Sequence, residues 1–350
     1  MMNKLFFYLL LPFSILYNLI TSIRNHLYNI NYKPSIHFEI PLIGVGNLSV
    51  GGTGKTPMVE YLLERLASKY QLATLSRGYG RKTRGYRLAS EKDGADQIGD
   101  EPLQIYLKYK NRIAVAVGEE RAMAIPFMLA ESPGIQAVIL DDAFQHRAVS
   151  LDLNILLTTY NKPFFKDHLL PAGRLRESRK GAQRADLVVV TKCPDQLSED
   201  YQEQYRYNIQ KYAGEVPVFF SKLKYDKPRA LWSENQVFSG PIILVAGIAI
   251  CEPLKEYCDK NFVVKDSLFF SDHHHYSASD FKAIHDRSGG IPILTTEKDM
   301  VKWKESPAAA ILHNLPVFYL PVQHSFVKNG EEFDQLIYNF ARNKINSGVA

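Results

Sequence analysis

The sequence predicts an α/β protein with a mostly parallel sheet, followed by a second, smaller α/β domain with Rossmann-like alternation. Three observations lead to this prediction. Short apolar runs typical of buried strands alternate with helical segments along most of the chain. A glycine-rich stretch separates the first of these runs from the next helix, and the same order of strand, glycine and helix restarts at Pro241. The chain also begins with a long apolar segment.

Length and composition bound the number of domains. A chain of 350 residues suggests two domains or one large one. We expect residues 1–35 to form a membrane-associated helical segment, 36–220 the larger domain, 221–235 a β linker and 236–350 the smaller domain. The net charge of +5 suits an anionic substrate or an anionic membrane face and does not by itself indicate nucleic acid. The three cysteines form no CxxC pair and suit a reducing compartment.

The N-terminal segment, residues 5–23, is apolar between Lys4 and Arg24. At about 1.5 Å per residue it could nearly cross a hydrocarbon core of about 30 Å. A cleaved signal peptide is disfavoured, because no small-residue cleavage site follows. The alternatives are a transmembrane helix, a buried core helix, and a helix in the membrane interface with Tyr8, Tyr17 and Tyr28 at headgroup depth. We favour membrane association and leave its depth open.

A phosphate-binding loop is predicted at residues 46–56, between a strand at 40–45 and a helix that begins near Pro57. Glycines let successive N–H groups turn toward an anion, and the helix N-terminus adds unpaired donors. Lys55 is expected to reach the β- and γ-phosphates, and the Thr56 hydroxyl to ligate Mg²⁺. The predicted nucleotide-binding residues are Ser49, Val50, Gly51, Gly52, Thr53, Gly54, Lys55 and Thr56. The larger domain is therefore of the P-loop NTPase type.

The stretch departs from common phosphate-loop patterns at two positions. Ser49 stands where the usual pattern has glycine, and Val50 stands where one variant has a second lysine. The predicted strand at 186–192 runs into Thr-Lys-Cys-Pro-Asp. A GTPase would have Asn-Lys-x-Asp at this point, so the sequence argues against guanine specificity.

Acidic residues are placed to serve a phosphate site. Asp141 and Asp142 end an apolar run that begins at Ala137, and in a phosphate-loop protein such an acid holds Mg²⁺ directly or through water. Asp100 opens a helical run. It is therefore either a helix N-cap or a carboxylate aimed into the active crevice.

Basic and polar residues are predicted to face an anionic ligand. They lie in a glycine-rich basic loop at 77–85, in the helix after the strand 113–117, just after the two acids, and in an arginine-dense loop at 169–178. For the 77–85 loop the alternative is a solvated surface loop. The candidate substrate-binding residues are Asn47, Arg77, Tyr79, Arg81, Arg121, Gln145, Arg147, Arg174 and Arg176.

The smaller domain carries two polar clusters and no second phosphate loop. The stretch from Ser271 to Tyr276 contains three successive histidines. A zinc site is disfavoured, because adjacent histidines point in different directions and no Cys/His pair has suitable spacing; a catalytic or orienting histidine fits better. Thr296 to Asp299 follows a predicted strand and is expected to face the same crevice. The predicted strands of this domain are 241–249, 261–264, 291–296 and 316–320.

Several of these motifs occur together in one family. In chain order they are the apolar N-terminus, GNLSVGGTGKTP, SRGYGR, GDEP, LDDAFQHR, LLPAGRLRE, VVVTK, the DHH cluster and TTEKD. In this combination, over most of its length, the chain resembles the tetraacyldisaccharide 4′-kinase family of lipid A biosynthesis. The resemblance implies phosphorylation of the 4′-hydroxyl of a lipid A disaccharide 1-phosphate by MgATP, at the cytoplasmic face of the bacterial inner membrane.

The resemblance also implies residue roles. Asp100 corresponds to the catalytic carboxylate of the family and His273 to its supporting histidine. Ser271 stands where proline is expected and His275 adds a third histidine, so the choice among His273, His274 and His275 stays open. The implied catalytic residues are Lys55, Asp100 and His273, and the implied metal-site residues are Thr56, Asp141, Asp142 and Glu177.

The expected cofactors are ATP and Mg²⁺. The expected partners are the lipid A disaccharide 1-phosphate and inner-membrane lipids, with no nucleic acid and no obligate protein partner. A membrane-associated P-loop NTPase that acts as a switch, without a lipid acceptor, fits the loop and the acids equally well. A nucleotide-binding structural module would leave Asp100 and the histidines without a role, and the arginine loop together with the histidine cluster favours the kinase.

Overall fold

Two β-sheets organise the protein, and the larger one carries the predicted phosphate loop. The computed structural model describes residues 4–233, 236–272 and 274–347. Within these residues the larger sheet has nine strands and the smaller sheet five. The predicted catalytic residue His273 lies outside the described residues, and so do a few positions of the predicted N-terminal, linker and C-terminal segments.

Apart from residues 261–264, the apolar runs that led to the α/β prediction form strands. The strands are β1 (Leu42–Asn47), β2 (Leu72–Ser76), β3 (Arg87–Leu88), β4 (Ile113–Val117), β5 (Ala137–Asp141), β6 (Leu153–Thr159), β7 (Leu187–Thr191), β8 (Val218–Tyr225), β9 (Arg229–Ala230), β10 (Ile242–Ala246), β11 (Val264–Phe269), β12 (Ile293–Thr296), β13 (Val317–Leu320) and β14 (Val322–Phe326). The helices are α1 (Lys4–Asn29), α2 (Lys55–Leu66), α3 (Ala95–Ile98), α4 (Asp100–Tyr109), α5 (Arg121–Glu131), α6 (Glu199–Ala213), α7 (Glu252–Asn261), α8 (Ala278–Ser288), α9 (Glu297–Glu305) and α10 (Gly330–Ser347).

The larger sheet is parallel except at its two edges. Its order is β14-β8-β7-β6-β1-β5-β2-β4-β3, and only β3 and β14 run antiparallel to their neighbours. Helices α2, α4 and α10 pack on one face, while α5 and α6 pack on the other. Strands covered on both faces read as continuous apolar runs, which is why the sequence revealed them. The predicted mostly parallel α/β architecture is confirmed.

The smaller sheet has the order β11-β10-β12-β13-β9, in which β10 to β13 are parallel. This arrangement agrees with the predicted Rossmann-like alternation. The predicted strand at 261–264 is wrong, because α7 continues to Asn261 and β11 begins only at Val264. β11 is an edge strand in which only Leu268 is buried. Its polar, half-exposed residues give no apolar run from which to recognise it.

The chain returns to the larger sheet after β13. β14 pairs antiparallel with β8, and α10 buries Phe333 and Ile337 in the core beside α2. Sheet membership therefore ends the smaller unit near Leu320, earlier than the predicted segment 236–350. The sequence analysis did not predict β14, because its alternating polar residues form no apolar run.

Helix α1 lies on the surface with its polar side facing the protein. Ser14 and Thr21 are buried, whereas Phe13, Leu16 and Ile20 are each more than half exposed. By length and composition the stretch Phe6–Asn29 could cross a membrane, and only 6% of its most apolar window is buried. A buried core helix is therefore excluded.

A buried charge cluster lies where α2, α4 and α9 meet. Lys108 of α4 forms ion pairs with Glu60 of α2 and, at 3.5 Å, with Glu297 of α9. Gln104 also donates a hydrogen bond to Glu60, at 2.8 Å. Burial, and next the neighbouring Glu297, raise the pKa of Glu60 to about 7. This cluster joins the phosphate-loop helix to the smaller domain through one shared cation.

We expect Glu60 to make the protein less stable as the pH rises from about 4.5 to about 7. A carboxyl group with a higher pKa in the folded state retains its proton there while the unfolded chain loses it, so the free energy of unfolding falls across this window. Glu60→Gln should flatten the decline of the melting temperature over that range in calorimetric scans. Glu64→Gln, on the exposed side of α2, is the matched control, and equal slopes for Glu60→Gln and wild type would contradict the prediction.

Candidate active site

The phosphate loop, residues 46–56, lies at the carboxyl end of β1. The chain places β5 on one side of this strand and β6 on the other, and ligands of open parallel sheets bind at such switch points. Gly54 ends the loop as the N-cap of α2 with a φ of 88°, a left-handed conformation that favours glycine. The first turn of α2 therefore presents its unpaired N–H groups to the crevice.

A close main-chain contact brings the predicted acids to the loop. A Cβ on Gly46 would lie only 2.7 Å from the backbone nitrogen of Phe144, so a larger residue could not be accommodated there. The turn after β5 consequently crosses the end of β1, and Gln145 donates a hydrogen bond of 2.8 Å to the Asn47 carbonyl. Asp141 and Asp142 come immediately before this turn.

Asp142 lies between two cations. Lys55 Nζ is 3.4 Å from Asp142 Oδ1, and Arg176 donates a hydrogen bond of 2.8 Å to Asp142 Oδ2. Burial acts to raise the pKa of Asp142, but Lys55 and Arg176 outweigh burial and lower it. Burial, and next the charge of Glu101, raise the pKa of Asp141 to about 7, because together they outweigh the opposing effect of Lys55. Lys55 is thus held in place at the loop by an acid.

The oxygen atoms at this position suit Mg²⁺. Asp141 is buried with a raised pKa, so a cation beside it would relieve an unfavourable charge. Asn47 Oδ1 is also buried and has no hydrogen-bond partner among the described residues. No group of three or more His, Cys, Asp or Glu side chains in the described part of the chain could hold a metal. Magnesium at phosphate loops needs few protein ligands, because phosphates and waters supply the others.

The arginine loop, residues 169–178, pairs with the start of the phosphate loop. Val50 N–H donates to the Arg174 carbonyl at 2.8 Å, and Arg176 N–H donates to the Leu48 carbonyl at 2.7 Å. Helix α1 holds the same loop from outside, since the Tyr17 hydroxyl donates to the Arg176 carbonyl at 2.8 Å. A continuous chain of hydrogen bonds therefore runs from α1 to the phosphate loop.

Glu177, an implied metal-site residue, is surrounded by hydrogen-bond donors. It is fully buried. Its Oε1 accepts hydrogen bonds from Arg184 at 2.8 Å and Gln145 at 3.0 Å, and its Oε2 accepts one from Asn25 of α1 at 2.7 Å. Both oxygens have donors in this structure, and metal binding by Glu177 stays a prediction. These hydrogen bonds tie α1 to the turn that follows the acids.

Several predicted substrate contacts have structural partners. Arg121 is 3% exposed and donates to the Asp141 carbonyl at 2.8 Å. Arg81 pairs with Glu119 at 2.6 Å, and Arg147 donates to the Asn25 carbonyl at 2.7 Å. These three arginines have partners within the fold, and their role as ligand contacts stays a prediction.

The remaining candidates fall into three groups. Asn47 is buried and donates to Thr53 Oγ1 at 2.8 Å, so it orders the phosphate loop. Gln145 and Arg176 lie at the acids, as described above. Arg77 and Tyr79 are exposed, and Arg174 is partly exposed beside Asp167, so these side chains are accessible to a ligand.

Asp100 is held at the junction with the smaller domain. It is the first residue of α4, and the N-cap of this helix is Gly99. The structure therefore does not support the alternative that Asp100 is the N-cap. Lys302 of α9 lies 3.2 Å from Asp100 Oδ2 and also donates to the His274 carbonyl at 3.2 Å. A cleft of about 580 Å³ opens here, and Asp100, His275 and Lys302 line it. The His274 ring is engaged elsewhere, with Asp280 at 3.1 Å.

Three residues at the phosphate loop were missed by the sequence analysis. Thr191 at the end of β7 donates to the Thr53 carbonyl at 2.8 Å. Lys192 directs its ammonium toward Gly52, 3.9 Å from where a Cβ would lie. His324 on β14 contacts the Gly54 carbonyl at 3.0 Å. The Thr-Lys pair at a strand end offered a signal for the first two, whereas nothing in the sequence pointed to His324.

Comparison with known proteins identifies the family. A family model described as "Tetraacyldisaccharide-1-P 4'-kinase" matches residues 6–342. A tetraacyldisaccharide 4′-kinase of Flavobacterium johnsoniae is 43% identical, with 96% of this chain and 98% of the relative covered. The chain belongs to the tetraacyldisaccharide 4′-kinase family. The enzyme of that name from Bacteroides thetaiotaomicron is 40% identical, over 95% of this chain and 93% of the relative.

A solved member of the tetraacyldisaccharide 4′-kinase family has the same fold. The structure titled an "apo" form of LpxK from Aquifex aeolicus in complex with ATP superimposes with a TM-score of 0.76 at 31% identity, and covers 96% of this chain and 99% of its own. The motifs that suggested the family thus belong to a kinase of lipid A biosynthesis, and the resemblance stated from sequence is confirmed.

We expect Lys192 to contribute to nucleotide affinity. Burial lowers its pKa, and among the described residues it forms no ion pair, so bound phosphates would supply the counter-charge that its ammonium lacks. Lys192→Met should weaken binding of a non-hydrolysable ATP analogue about tenfold, a change of about 1.4 kcal/mol, measured by calorimetric titration. The control is Lys222→Met, because Lys222 pairs with the exposed Asp195; a similar loss in both variants would contradict a specific role.

Proposed function

We propose that this kinase transfers the γ-phosphoryl group of ATP to the 4′-hydroxyl of tetraacyldisaccharide 1-phosphate, forming the bis-phosphorylated lipid A precursor. One observation carries the proposal: the phosphate loop is hydrogen-bonded through the arginine loop to α1, whose outward side chains are apolar. This connection supports a phosphoryl-transfer site beside a surface suited to lipid. Family membership supports the same acceptor, since the matching family model names it.

The proposed donor site is the crevice at the carboxyl ends of β1 and β5. The ATP complex of the Aquifex aeolicus relative supports ATP as the donor. Backbone N–H groups of residues 49–56 would hold the phosphates, while Lys55 and Arg176 would stabilise negative charge on the transferred group. Mg²⁺ would neutralise phosphate charge, and Thr56, Asp141 and Asp142 are the residues that would hold it.

The proposed acceptor site adjoins Asp100. A sugar hydroxyl is a weak nucleophile, so a positioned carboxylate that takes its proton speeds attack on phosphorus. Asp100 fits this role because Lys302 holds its carboxylate at the edge of a cleft. Support by His273 stays a prediction, because this residue lies outside the described residues. The exposed Arg77 and Tyr79 are proposed contacts for the acceptor.

The proposed location is the cytoplasmic face of the inner membrane, where ATP is available. The exposed apolar side of α1 supports membrane association. Helix α1 contacts the larger domain along its length. Phe7 packs edge-to-face on His168, and Asn25 donates a hydrogen bond to Glu177. Helix α1 could not span the bilayer without breaking these contacts, so we propose that it lies in the interface.

The decisive experiment supplies purified protein with ATP, Mg²⁺ and a tetraacylated disaccharide 1-phosphate. The proposal requires a bis-phosphorylated lipid, with the new phosphate at the 4′-position by mass and NMR analysis. An NTPase switch would instead hydrolyse ATP at a rate that the lipid does not change. That outcome, without a phosphorylated lipid, would refute the kinase reaction proposed here.

For Asp100 we expect a catalytic loss without a binding loss. Asp100→Asn preserves size and removes the proton acceptor, so turnover should fall by roughly 10²–10⁴-fold. Affinity for an ATP analogue should stay near the wild-type value. Single-turnover phosphorylation measures turnover, and calorimetric titration measures the affinity. Wild-type turnover in this variant would show that Asp100 is not the base.

For α1 we expect membrane binding to depend on its outer face. Replacing Phe13, Leu16 and Ile20 together by serine removes apolar surface while keeping the contacts of Ser14 and Tyr17 to the arginine loop. Binding to anionic phospholipid vesicles should fall at least tenfold, because each side chain contributes on the order of 1 kcal/mol when buried in lipid.

The matched control for this triple variant replaces exposed aromatic residues on a different helix. Tyr201 and Tyr207 on α6 are 56% and 64% exposed, and serine at both positions should leave vesicle binding unchanged. Co-sedimentation measures binding, and affinity for an ATP analogue verifies the active site. Undiminished sedimentation of the α1 variant would place the membrane contact elsewhere.

A further inference from the structure

His324 is a buried titratable residue that the proposed phosphoryl transfer does not use. It lies on β14, is 4% exposed, and contacts the end of the phosphate loop. Its Nε2 is 3.0 Å from the Gly54 carbonyl oxygen, and its Nδ1 is 3.0 Å from Ser221 Oγ on β8. Both ring nitrogens therefore have partners inside the fold.

These two contacts determine the protonation of the ring. A carbonyl oxygen only accepts hydrogen bonds, so the proton must be on Nε2. In a neutral ring Nδ1 then accepts a hydrogen bond from the Ser221 hydroxyl. Burial lowers the pKa of His324 to about 4, and the nearby positive charge of Lys192 acts in the same direction. The hydrogen bond to Gly54 acts in the opposite direction but is outweighed. The imidazole is consequently neutral at physiological pH, with a single tautomer.

The bonded carbonyl is at a critical point of the loop. Gly54 is the last residue before Lys55, and its own φ is left-handed. Its carbonyl also accepts the first hydrogen bond of α2, from Met58 N–H at 3.1 Å. A Cβ on Gly54 would lie only 3.2 Å from His324 Nε2, so the ring and the loop are in close contact. The imidazole thus fixes the peptide plane that leads into Lys55.

We propose that His324 is a positioning residue for the nucleotide: its neutral Nε2–H holds the Gly54 carbonyl and keeps the phosphate loop in its anion-binding conformation. A loop that is ordered in advance binds phosphate more tightly, because binding no longer has to order it. The inference rests on the proposed binding of ATP at this loop. His324 would act through the loop and not by direct contact with the nucleotide, and β14 would serve to hold it there.

The test compares three substitutions at position 324. His324→Gln places an amide N–H where Nε2–H was, His324→Asn is too short to reach Gly54, and His324→Leu fills the space without a donor. The Kd of a non-hydrolysable ATP analogue should rise about tenfold for Leu and Asn, as expected for loss of one buried hydrogen bond. It should stay within about threefold of wild type for Gln. The KM for the lipid acceptor should not change.

Comparing His324→Gln with His324→Asn separates a loss of positioning from a general loss of stability. If His324→Leu fails to fold, the two amide variants still test the inference, because both side chains are polar and differ only in length. Equal analogue affinity in folded Gln and Asn variants would overturn the inference. So would wild-type affinity in a folded Leu variant. Failure of the wild type itself to bind the analogue would instead refute the proposed donor site.

A spectroscopic measurement tests the same inference without a substitution that removes the ring. In protein labelled with ¹⁵N-histidine, we expect the His324 ring at pH 7 to show the neutral tautomer with hydrogen on Nε2; Ser221→Ala should retain it. The His324→Gln spectrum, which lacks this signal, identifies the residue. An imidazolium ring or a proton on Nδ1 at pH 7 would overturn the inference.

Discussion

Two main-chain hydrogen bonds, between Val50 and Arg174 and between Arg176 and Leu48, hold the site together. They place the arginine loop along one side of the phosphate loop. A glycine-rich loop alone would lose much of its anion affinity to conformational freedom, because each residue ordered on binding costs free energy. Here the loop is ordered by the rest of the fold.

The same constraint determines the charges of the site. Because Arg176 belongs to the paired loop, its guanidinium meets Asp142 from the side opposite Lys55. The Asp142 carboxylate can then stay ionised in a half-buried position, while Asp141 next to it is buried with a raised pKa. Such a balance leaves room for one more cation, which agrees with the proposal that magnesium binds here.

Helix α1 reverses the usual polarity of a surface helix. Three of its polar side chains face the protein: Ser14, Tyr17 and Asn25 bond to the arginine loop, which includes Glu177. Its apolar residues face outward. A helix so arranged is matched to an apolar medium on its outside, and its contact with the arginine loop links that surface to the active crevice.

The sequence by itself determined the buried parallel strands, the phosphate loop and the family, because each leaves a local pattern. Continuous apolar runs mark strands covered on both faces, and Gly54, Lys55 and Thr56 adjoin one another in the chain. Tertiary structure alone decided which charged residues reach the crevice. Arg121 and Glu177 looked like ligand contacts, yet each has partners from remote segments. His324 joins the loop from 270 positions away, across a polar strand at a sheet edge. No local pattern encodes that contact, because pairing between distant strands is set by the packing of the whole chain.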